Sequence, residues 1–381
     1  MSDWNEKYML MALRLARRGI GSVEPNPAVG CVIVKGNQVI GKGWHRKFGG
    51  PHAEINALED CGALGVGPEG ATMYVTLEPC CHYGKTPPCT DAILAAKLAK
   101  VVVAAIDPSE HARGKGIEKL RNAGIQVQAG VCETEAKLLN APFIRFAATG
   151  RCWVILKWAQ SIDGKMAWAD KTNERKWISN ETSRKDAHKL RRRVQAILVG
   201  IETVLADDPL LTARPAKGRQ LIRIVLDSKL RIPLDCNLLN TAKKVPVLIL
   251  TGEEAVRSKP QIAEKIVQKG GKLLTYPDTE GRCNLYFLLD ELSKRGVTQL
   301  LVEGGSKVIT SFLKERLADE ICIYIAPKIL GAQGSVDISE PMAELTPNFD
   351  LHYVDVKRFD DDVRLTGLTE KAIEEISIVK G

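Results

Sequence analysis

Three residues of the sequence have the side chains and the spacing of a catalytic zinc site. His52 offers an imidazole, and Cys80 and Cys89, each preceded by a proline, offer two thiolates. Three protein ligands leave one position of a tetrahedral zinc ion open for water, as a catalytic site requires. Glu54 lies two residues after His52, near enough to exchange protons with that water without binding the metal. The sequence therefore predicts a hydrolytic zinc site built from these four residues.

The eight residues between Cys80 and Cys89 leave other ligand sets open on chemistry alone. Cys81 and His82 follow Cys80 directly and carry the same donor types. A structural zinc site would need a fourth protein ligand and would have no use for Glu54. A chance grouping of these residues in an ordinary core is the remaining alternative.

A glycine pair in the second half of the chain could bind a phosphate group. Glu303-Gly304-Gly305 follows an apolar segment at Gln299–Val302 and opens a predicted helix at Lys307–Leu317. Glycines let the backbone approach a ligand, and a helix N-terminus presents free N–H groups to an anion. The same turn also occurs as a plain tight connection, and it lacks the spacing of the Walker and Rossmann loops. The motif alone leaves both interpretations open.

Three further segments of the second half favour a binding site. Lys157–Gly164 places polar residues directly after a strand, and Val199–Thr212 is predicted to be a long loop of turn-forming residues beside another strand. Trp177 precedes a basic helix at Thr182–Arg193. Most basic residues of a helix serve only to solvate its exposed face, but together the segments shift the balance towards ligand binding.

Alternating strands and helices must position these residues, and the alternation predicts a layered α/β fold in both halves. In the first half we expect a helix at Glu6–Arg18, a hairpin of Val29–Val34 with Gln38–Gly43, a helix from His52 to about Asp60, and strands at Ala71–Leu77 and Val101–Ala105. In the second half the predicted strands are Trp153–Trp158, Ala196–Val199, Ile222–Asp227, Val245–Leu250, Leu300–Val302 and Ile321–Ile325. The halves share no repeat, so we predict two different domains, residues 1–147 and 151–381, joined near Gly150.

Length and composition favour a cytoplasmic enzyme with small ligands. The 381 residues suffice for two domains, and 45% hydrophobic and 26% charged residues are typical of a globular protein. The N-terminus has no signal-peptide pattern and the apolar segments are too short to cross a membrane. Ten cysteines without a secretion signal indicate reduced thiols or metal ligands rather than disulfides. The net charge of +8 is spread over both halves, which fits small anionic ligands and argues against a basic nucleic-acid-binding arm.

The motifs of the first half resemble the pyrimidine deaminase of riboflavin biosynthesis. A His-x-Glu motif followed by proline–cysteine and a second cysteine is the signature of zinc nucleobase deaminases. Asn26–Gly30 and the segment Thr76–Cys89 are similar to that pathway enzyme, including its long loop between the two cysteines. The resemblance implies a cytidine-deaminase-like α/β/α domain that hydrolyses a diaminopyrimidinone carrying a phosphoribosylamino group.

This resemblance also implies the roles of individual residues. His52, Cys80 and Cys89 would bind one Zn²⁺ ion, and Glu54 would shuttle protons. The substrate contacts would be Asn26 and His45 in the base pocket, Lys85 at the ribose phosphate, and Asp107. Ser109 stands where the family usually has an asparagine that contacts the substrate.

The second half resembles the reductase of the same pathway, a dihydrofolate-reductase-like α/β domain that uses NADPH. Its motifs occur in the family's order at Lys157–Gly164, Thr203–Pro209 and Glu303–Gly305. By this resemblance the NADPH contacts would be Ala159, Trp177, Thr203, Asp207, Ser228, Gly305, Ser306, Lys307, Val308, Ile309, Thr310 and Ser311. The contacts to the ribosyl-phosphate substrate would be Arg175, Arg191, Leu211, Arg214 and Glu303. Lys157 and Asp207 are further polar groups that could assist the reaction.

The sequence thus predicts a bifunctional enzyme of riboflavin biosynthesis that deaminates the pyrimidine and then reduces the ribosyl group to ribityl with NADPH. Arg175 stands where the family often has a serine, so the alternative is a deaminase whose second domain has lost reduction. An RNA-editing or RNA-binding protein would need a basic, aromatic-lined surface, and aromatic residues make up only 5% of the chain. The resemblance also implies a homodimer or homotetramer, without nucleic-acid or membrane partners.

Overall fold

The chain divides into two compact units, which are described separately. The computed structural model describes residues 2–84, 87–110, 112–170, 177–214, 221–277, 283–343, 345–346 and 348–377. The first unit is Met1–Gly150 with Glu375–Gly381, and the second is Arg151–Glu374.

The first unit is built on a five-stranded sheet in the order β2-β1-β3-β4-β5. Strand β1 runs antiparallel to β2 and β3, whereas β3, β4 and β5 are parallel. Its elements are α1 (Ser2–Ala16), β1 (Gly30–Lys35), β2 (Gln38–Trp44), α2 (Ala53–Ala63), β3 (Thr72–Leu77), α3 (Cys89–Ala95), β4 (Lys100–Ala105), α4 (Lys115–Asn122), β5 (Gln126–Ala129), α5 (Glu133–Leu139) and α6 (Ala141–Thr149).

Helices cover both faces of this sheet because its strands are apolar on both sides. Successive residues of a strand point to opposite faces, and in β1 Cys31 and Ile33 pack in one core while Val32 and Val34 pack in another. Helices α2, α3 and α4 contribute to the first core, and α1 and α5 to the second. The predicted α/β/α arrangement is confirmed.

The second unit contains a nine-stranded sheet in the order β11-β10-β9-β8-β12-β6-β13-β16-β15. The strands from β11 to β13 are parallel, and β16 and β15 continue the sheet antiparallel. Its elements are β6 (Trp153–Ser161), β7 (Lys165–Trp168), α7 (Glu181–Arg193), β8 (Ala196–Gly200), α8 (Ile201–Asp207), β9 (Ile222–Leu226), α9 (Asn237–Asn240), β10 (Val247–Gly252), α10 (Glu253–Ser258), α11 (Pro260–Gln268), β11 (Lys272–Tyr276), α12 (Leu285–Lys294), β12 (Gln299–Val302), α13 (Ser306–Lys314), β13 (Glu320–Ala326), β14 (Gly334–Asp337), α14 (Ser339–Met342), β15 (Leu351–Phe359) and β16 (Asp362–Thr369). The last helix, α15 (Glu370–Ser377), begins in the second unit, and its residues from Glu375 onward belong to the first.

Two predictions for the second unit are wrong in detail. The segment Val199–Thr212, predicted as one long loop, contains helix α8, because Ile201 and Val204 are buried at helical spacing. The strand predicted to end at Trp158 continues to Ser161, so Gln160 and Ser161 lie within β6 and only Asp163 lies beyond it. In the segment Val199–Thr212, the irregular loop begins only after Asp207, the last residue of α8.

The cysteines and the helices concern two points that the composition raised. All ten cysteines are free thiols, and six of them are buried. None of the helices in the described ranges combines the length and apolar character needed to cross a lipid bilayer.

Candidate functional site

Three side chains of the first unit converge from the ends of three different elements. His52 directly precedes α2, Cys80 follows β3, and Cys89 is the first residue of α3. The Nδ1 atom of His52 lies 3.5 Å from the Sγ of Cys80 and 3.3 Å from the Sγ of Cys89, and the three ligand atoms lie within 4.8 Å of one another. One imidazole and two thiols at these separations fit a zinc ion that keeps one position for water.

The backbone brings the two cysteines together despite the long loop between them. The N–H of Cys89 donates to the Sγ of Cys80 at 3.3 Å. Hydrogen bonding from the Cys89 thiol and from His52 lowers the pKa of Cys80, which favours the thiolate that binds metals. Among the described residues, Cys81 and His82 lie outside this group. The geometry thus favours one of the ligand sets that the sequence left open.

Glu54 lies in the first turn of α2, beside the three ligand atoms. Its side chain is only 3% exposed, and its carboxyl group hydrogen-bonds with Cys89. Burial raises the pKa of Glu54 to about 7, against the opposing effect of His52. A carboxyl group fixed at this place can reach a water on the metal without being a ligand.

A cavity of about 350 Å³ opens beside these groups, a size within the range of small-molecule sites. The predicted residues that line it are Asn26, His45, His52, Glu54, Cys80 and Asp107. Ser109, at the position where the family usually has asparagine, lines it as well. Lys85, the predicted phosphate contact, lies outside the described residues. The structure therefore brings together the predicted deaminase residues that it describes: six of them line the cavity, and Cys89 lies beside His52 and Cys80.

His45 lines the cavity and has a buried ring nitrogen without a hydrogen-bond partner among the described residues. Its Nδ1 lies 3.0 Å from the carbonyl oxygen of Pro51, which can only accept, so Nδ1 carries the proton. Burial lowers the pKa of His45, and the neutral ring then has a lone pair on Nε2. That atom is buried, and nothing in the described part of the chain hydrogen-bonds to it. It can accept an N–H group of a heterocyclic ligand.

The predicted cofactor contacts of the second unit gather at one edge of its sheet. Strands β9, β8, β12 and β6 are adjacent and parallel, so their carboxyl ends share that edge, where open α/β sheets bind ligands. The contacts at or just beyond these strand ends are Ala159 in β6, Thr203 and Asp207 in α8, Ser228 after β9, and Gly305–Ser311 after β12. Trp177 is 54% exposed, and the Arg184 guanidinium lies 5.1 Å from its ring centre.

The two glycines of the Glu303–Gly305 turn differ in what surrounds them. A Cβ on Gly304 would lie 2.6 Å from the Cβ of Val308, so only glycine lets α13 pack this closely. A Cβ on Gly305 would meet open space. No side chain in the described ranges caps α13. The N–H of Val308 donates to the carbonyl oxygen of Gly305 at 3.0 Å, so the N–H groups of Ser306 and Lys307 are the ones that an anion could bind.

Glu303 and Arg191, 112 residues apart in sequence, form a bidentate ion pair. The Nε and Nη2 atoms of Arg191 donate to the two carboxylate oxygens at 2.8 and 2.9 Å, and the Nζ of Lys157 lies 3.6 Å from the same carboxylate. Burial alone would raise the pKa of Glu303, but Arg191 and Lys157 lower it to about 2. The carboxylate is therefore charged at neutral pH and holds two cations beside the edge of the sheet.

Two arginines fix the backbone on both sides of Leu211. Leu211 is buried and has a positive φ of 49°. Arg191 donates to the carbonyl oxygen of Thr212 at 3.1 Å, and Arg223 donates to that of Leu210 at 3.2 Å. These two hydrogen bonds thus fix the backbone of the loop that carries the predicted substrate contacts Leu211 and Arg214.

Sequence reasoning missed the residues that support these groups. Arg223 is fully buried on β9 and its guanidinium binds carbonyl and hydroxyl oxygens. His188 lies one helical turn before Arg191, and burial lowers the pKa of its imidazole. The i,i+3 spacing from the predicted Arg191 was the available signal for His188. Arg214 is exposed, and Arg175 lies outside the described residues.

The chain is similar to known proteins along almost its entire length. Residues 2–105 match the family described as the cytidine and deoxycytidylate deaminase zinc-binding region, and residues 152–365 match the RibD C-terminal domain. The chain is 46% identical over 329 residues to the riboflavin biosynthesis protein RibD of Aquifex aeolicus, covering 86% of this chain and 88% of that protein. The RibD of Bacillus amyloliquefaciens is 39% identical over 366 residues, with 95% of this chain and 96% of that protein covered.

Solved structures of RibD proteins share the fold. Acinetobacter baumannii RibD, form 1, matches with a TM-score of 0.81 at 38% identity, over 97% of this chain and 99% of that chain. A deaminase/reductase from Thermotoga maritima matches with a TM-score of 0.79 at 36% identity and the same coverage. The two domains indicate zinc and a nicotinamide cofactor in general. The chain belongs to the RibD family, whose deaminase and reductase domains make it a bifunctional enzyme of riboflavin biosynthesis.

Proposed function

We propose that the first domain, residues 1–147, deaminates the diaminohydroxyphosphoribosylaminopyrimidine for which the Thermotoga maritima relative is named. The second domain, residues 151–381, would reduce the ribosyl group of the product, 5-amino-6-(5-phosphoribosylamino)uracil, to ribityl. The observation that carries the proposal is the group of His52, Cys80 and Cys89 beside Glu54, at a cavity of small-molecule size.

In the deaminase, His52, Cys80 and Cys89 hold one zinc ion per chain. When bound, zinc supplies a water that is acidic enough to attack at neutral pH. Glu54 takes a proton from the attacking water and delivers it to the amino group, which leaves as ammonia. The neutral His45 accepts an N–H group of the ring through Nε2.

Asn26 and Asp107 supply the other polar groups of the pocket. The Asn26 amide can both donate and accept a hydrogen bond, so it can pair with either kind of ring edge. Asp107 and Ser109 line the same cavity. Lys85 is proposed to bind the ribose phosphate from the sequence resemblance alone.

In the reductase, NADPH when bound would supply a hydride for the C1 carbon of the opened sugar, and a proton from solvent would complete the reduction. The first turn of α13 binds a cofactor phosphate, and Ala159, Thr203, Asp207 and Ser228 lie along the same sheet edge. Trp177 is carried over from the resemblance as a further cofactor contact.

The substrate of the reductase meets charged groups that Glu303 organises. Arg191 uses its Nε and both Nη atoms on Glu303 and Thr212, so it acts mainly by fixing Glu303 and the Leu211 loop. Arg214 is exposed and offers its guanidinium to the substrate phosphate. Arg175 and the assembly into a dimer or tetramer rest on the sequence resemblance.

Supplying the deaminated intermediate together with NADPH tests the second activity directly. We expect the absorbance of the reduced nicotinamide to fall with one equivalent of substrate, and NADH to be used more slowly. Omitting the intermediate is the control. If the deaminase of the same sample is active but NADPH is not oxidised, the result would support the alternative, a deaminase whose second domain no longer reduces. That alternative is motivated by Arg175, which stands where the family often has a serine.

Replacing Glu303 with glutamine should both slow reduction and destabilise the second unit. Removing one partner of a buried ion pair leaves the other charge unpaired and costs about 3 kcal/mol of unfolding free energy. Because the folded pKa of Glu303 is about 2, below its ordinary 4.5, the stabilisation is complete above that ordinary value and disappears as the pH falls towards 2.

Urea unfolding of the wild type and Glu303→Gln, at neutral pH and at about pH 3, measures the difference in their free energies of unfolding. The matched control is Glu202→Gln, which breaks an exposed ion pair with Arg231 at 2.7 Å and should change stability by less than about 1 kcal/mol. Equal stability of the wild type and Glu303→Gln at neutral pH would show that the pair contributes nothing.

A further inference from the structure

Glu78 is a buried carboxylate in the cavity wall that none of the proposed steps uses. Its side chain is 5% exposed. Oε1 accepts the N–H groups of Gly116 at 2.9 Å and Ile117 at 3.1 Å, and Oε2 accepts those of Gly114 at 2.9 Å and Asp107 at 3.2 Å. A buried carboxylate needs such donors to be tolerated, and four of them fix its orientation.

The four donors lie at the two ends of one loop. Asp107 lies just beyond β4, Gly114 is the residue before α4, and Gly116 and Ile117 belong to the first turn of α4. A helix N-terminus has free N–H groups and a partial positive charge, both of which favour a carboxylate. Glu78 therefore ties the carboxyl end of β4 to the beginning of α4 and closes the loop from Asp107 to Gly114.

Gly116 allows α4 to sit directly on the segment that contains Cys80. A Cβ at Gly116 would lie 2.1 Å from the carbonyl oxygen of Pro79, and that backbone atom cannot move without moving Cys80. The start of α4 is consequently held against the Glu78–Cys80 segment by close packing as well as by hydrogen bonds.

The loop itself carries polar groups of the substrate pocket. Asp107 and Ser109 line the cavity, and the Oδ1 of Asp107 accepts the N–H of Ser109 at 2.9 Å. Cys80 follows Glu78 by two positions in the chain. Because Glu78 holds both ends of the loop, it sets the distance from Asp107 and Ser109 to Cys80.

We propose that Glu78 is a positioning residue for the deaminase substrate. It holds the Asp107–Gly114 loop so that Asp107 and Ser109 meet the substrate while the amino-bearing carbon faces the metal ligands. The inference rests on the proposed deaminase function. It assigns Glu78 to substrate binding, so its loss should affect KM more than metal binding or proton transfer.

The test is Glu78→Gln in the full-length, zinc-loaded enzyme. The amide nitrogen of glutamine cannot accept, so one pair of N–H groups loses its partner. We expect KM for the deaminase substrate to rise by at least about tenfold, with kcat within about threefold. Zinc content and reductase activity of the same sample should be unchanged, and hydrogen exchange should quicken at the amides that Glu78 binds. Glu110→Gln, an exposed carboxylate of the same loop, should leave every readout unchanged.

Three outcomes would overturn the proposal. Faster amide exchange with an unchanged KM would show that loop placement does not matter for binding. Zinc loss with a fall in kcat at constant KM would show that Glu78 supports the metal site instead. If Glu78→Gln does not fold, Glu78→Asp takes its place, because it keeps the charge but shortens the side chain by one methylene group. Glu78→Asp must raise KM, and an unchanged KM in this variant would also refute the proposal. A wild type that reduces but does not deaminate would contradict the proposed function itself, a result distinct from all of these.

Discussion

Replacing Glu54 with glutamine is expected to lower the kcat of deamination by about 10³-fold while the bound zinc stays in place. Glutamine fills nearly the same volume in this buried position, which is 3% exposed in the native chain. It cannot take a proton from the attacking water or give one to the departing amino group. Metal analysis and single-turnover deamination of the same preparation measure the two effects.

The matched control for this variant is Glu59→Gln, which changes an exposed carboxylate of the same helix α2. It should retain full deaminase activity, because the side chain lies outside the cavity wall. The reductase activity of Glu54→Gln should also be that of the wild type, since Glu54 belongs to the first unit. Deamination at a wild-type rate in Glu54→Gln would exclude Glu54 as the proton shuttle.

Replacing Cys89 with serine is expected to empty the metal site and abolish deamination. Cys89 is fully buried and is the first residue of α3. A serine hydroxyl stays protonated at neutral pH and is a poor zinc ligand, so only two protein ligands remain where a catalytic site needs three. Zinc content measured after dialysis should fall from about one ion per chain to less than about a tenth of that.

Cys81→Ser distinguishes this assignment from the ligand sets that the sequence alone left open. Cys81 lies outside the group of His52, Cys80 and Cys89, so the variant should keep its zinc and its deaminase activity. Zinc at full stoichiometry in Cys89→Ser, with loss in Cys81→Ser, would reverse the assignment. Urea unfolding of the full-length chain serves as the measure of correct folding in both variants.

The types of the site residues could be read from the sequence because chemistry restricts them locally. An imidazole, two thiols and a nearby carboxyl group at this spacing predict a site for zinc-dependent hydrolysis. The order of apolar and polar residues predicted the layered α/β fold of both halves, because a strand buried on both faces must be apolar throughout. The predictions for His45 and Asp107 came instead from the resemblance.

The sequence was less informative where function depends on backbone hydrogen bonds. Glu78 lies in a recognisable motif, yet its four donors come from residues 29 to 39 positions further along the chain. Helix α8 was predicted as loop because its turn-forming residues outweighed the helical spacing of Ile201 and Val204. Local propensity is a weak guide when packing against a sheet supplies most of the stability of a short helix.

The sequence by itself determined which side chains could bind zinc, move protons and meet phosphates, since these properties belong to residue types. Only the tertiary structure decided which of the neighbouring cysteines joins His52, because a loop of eight residues can close in many ways and the ends of β3 and α3 select one. It also decided that Arg191 faces Glu303, 112 residues away. Charges so far apart in sequence meet only after the strands between them have taken their order in the sheet.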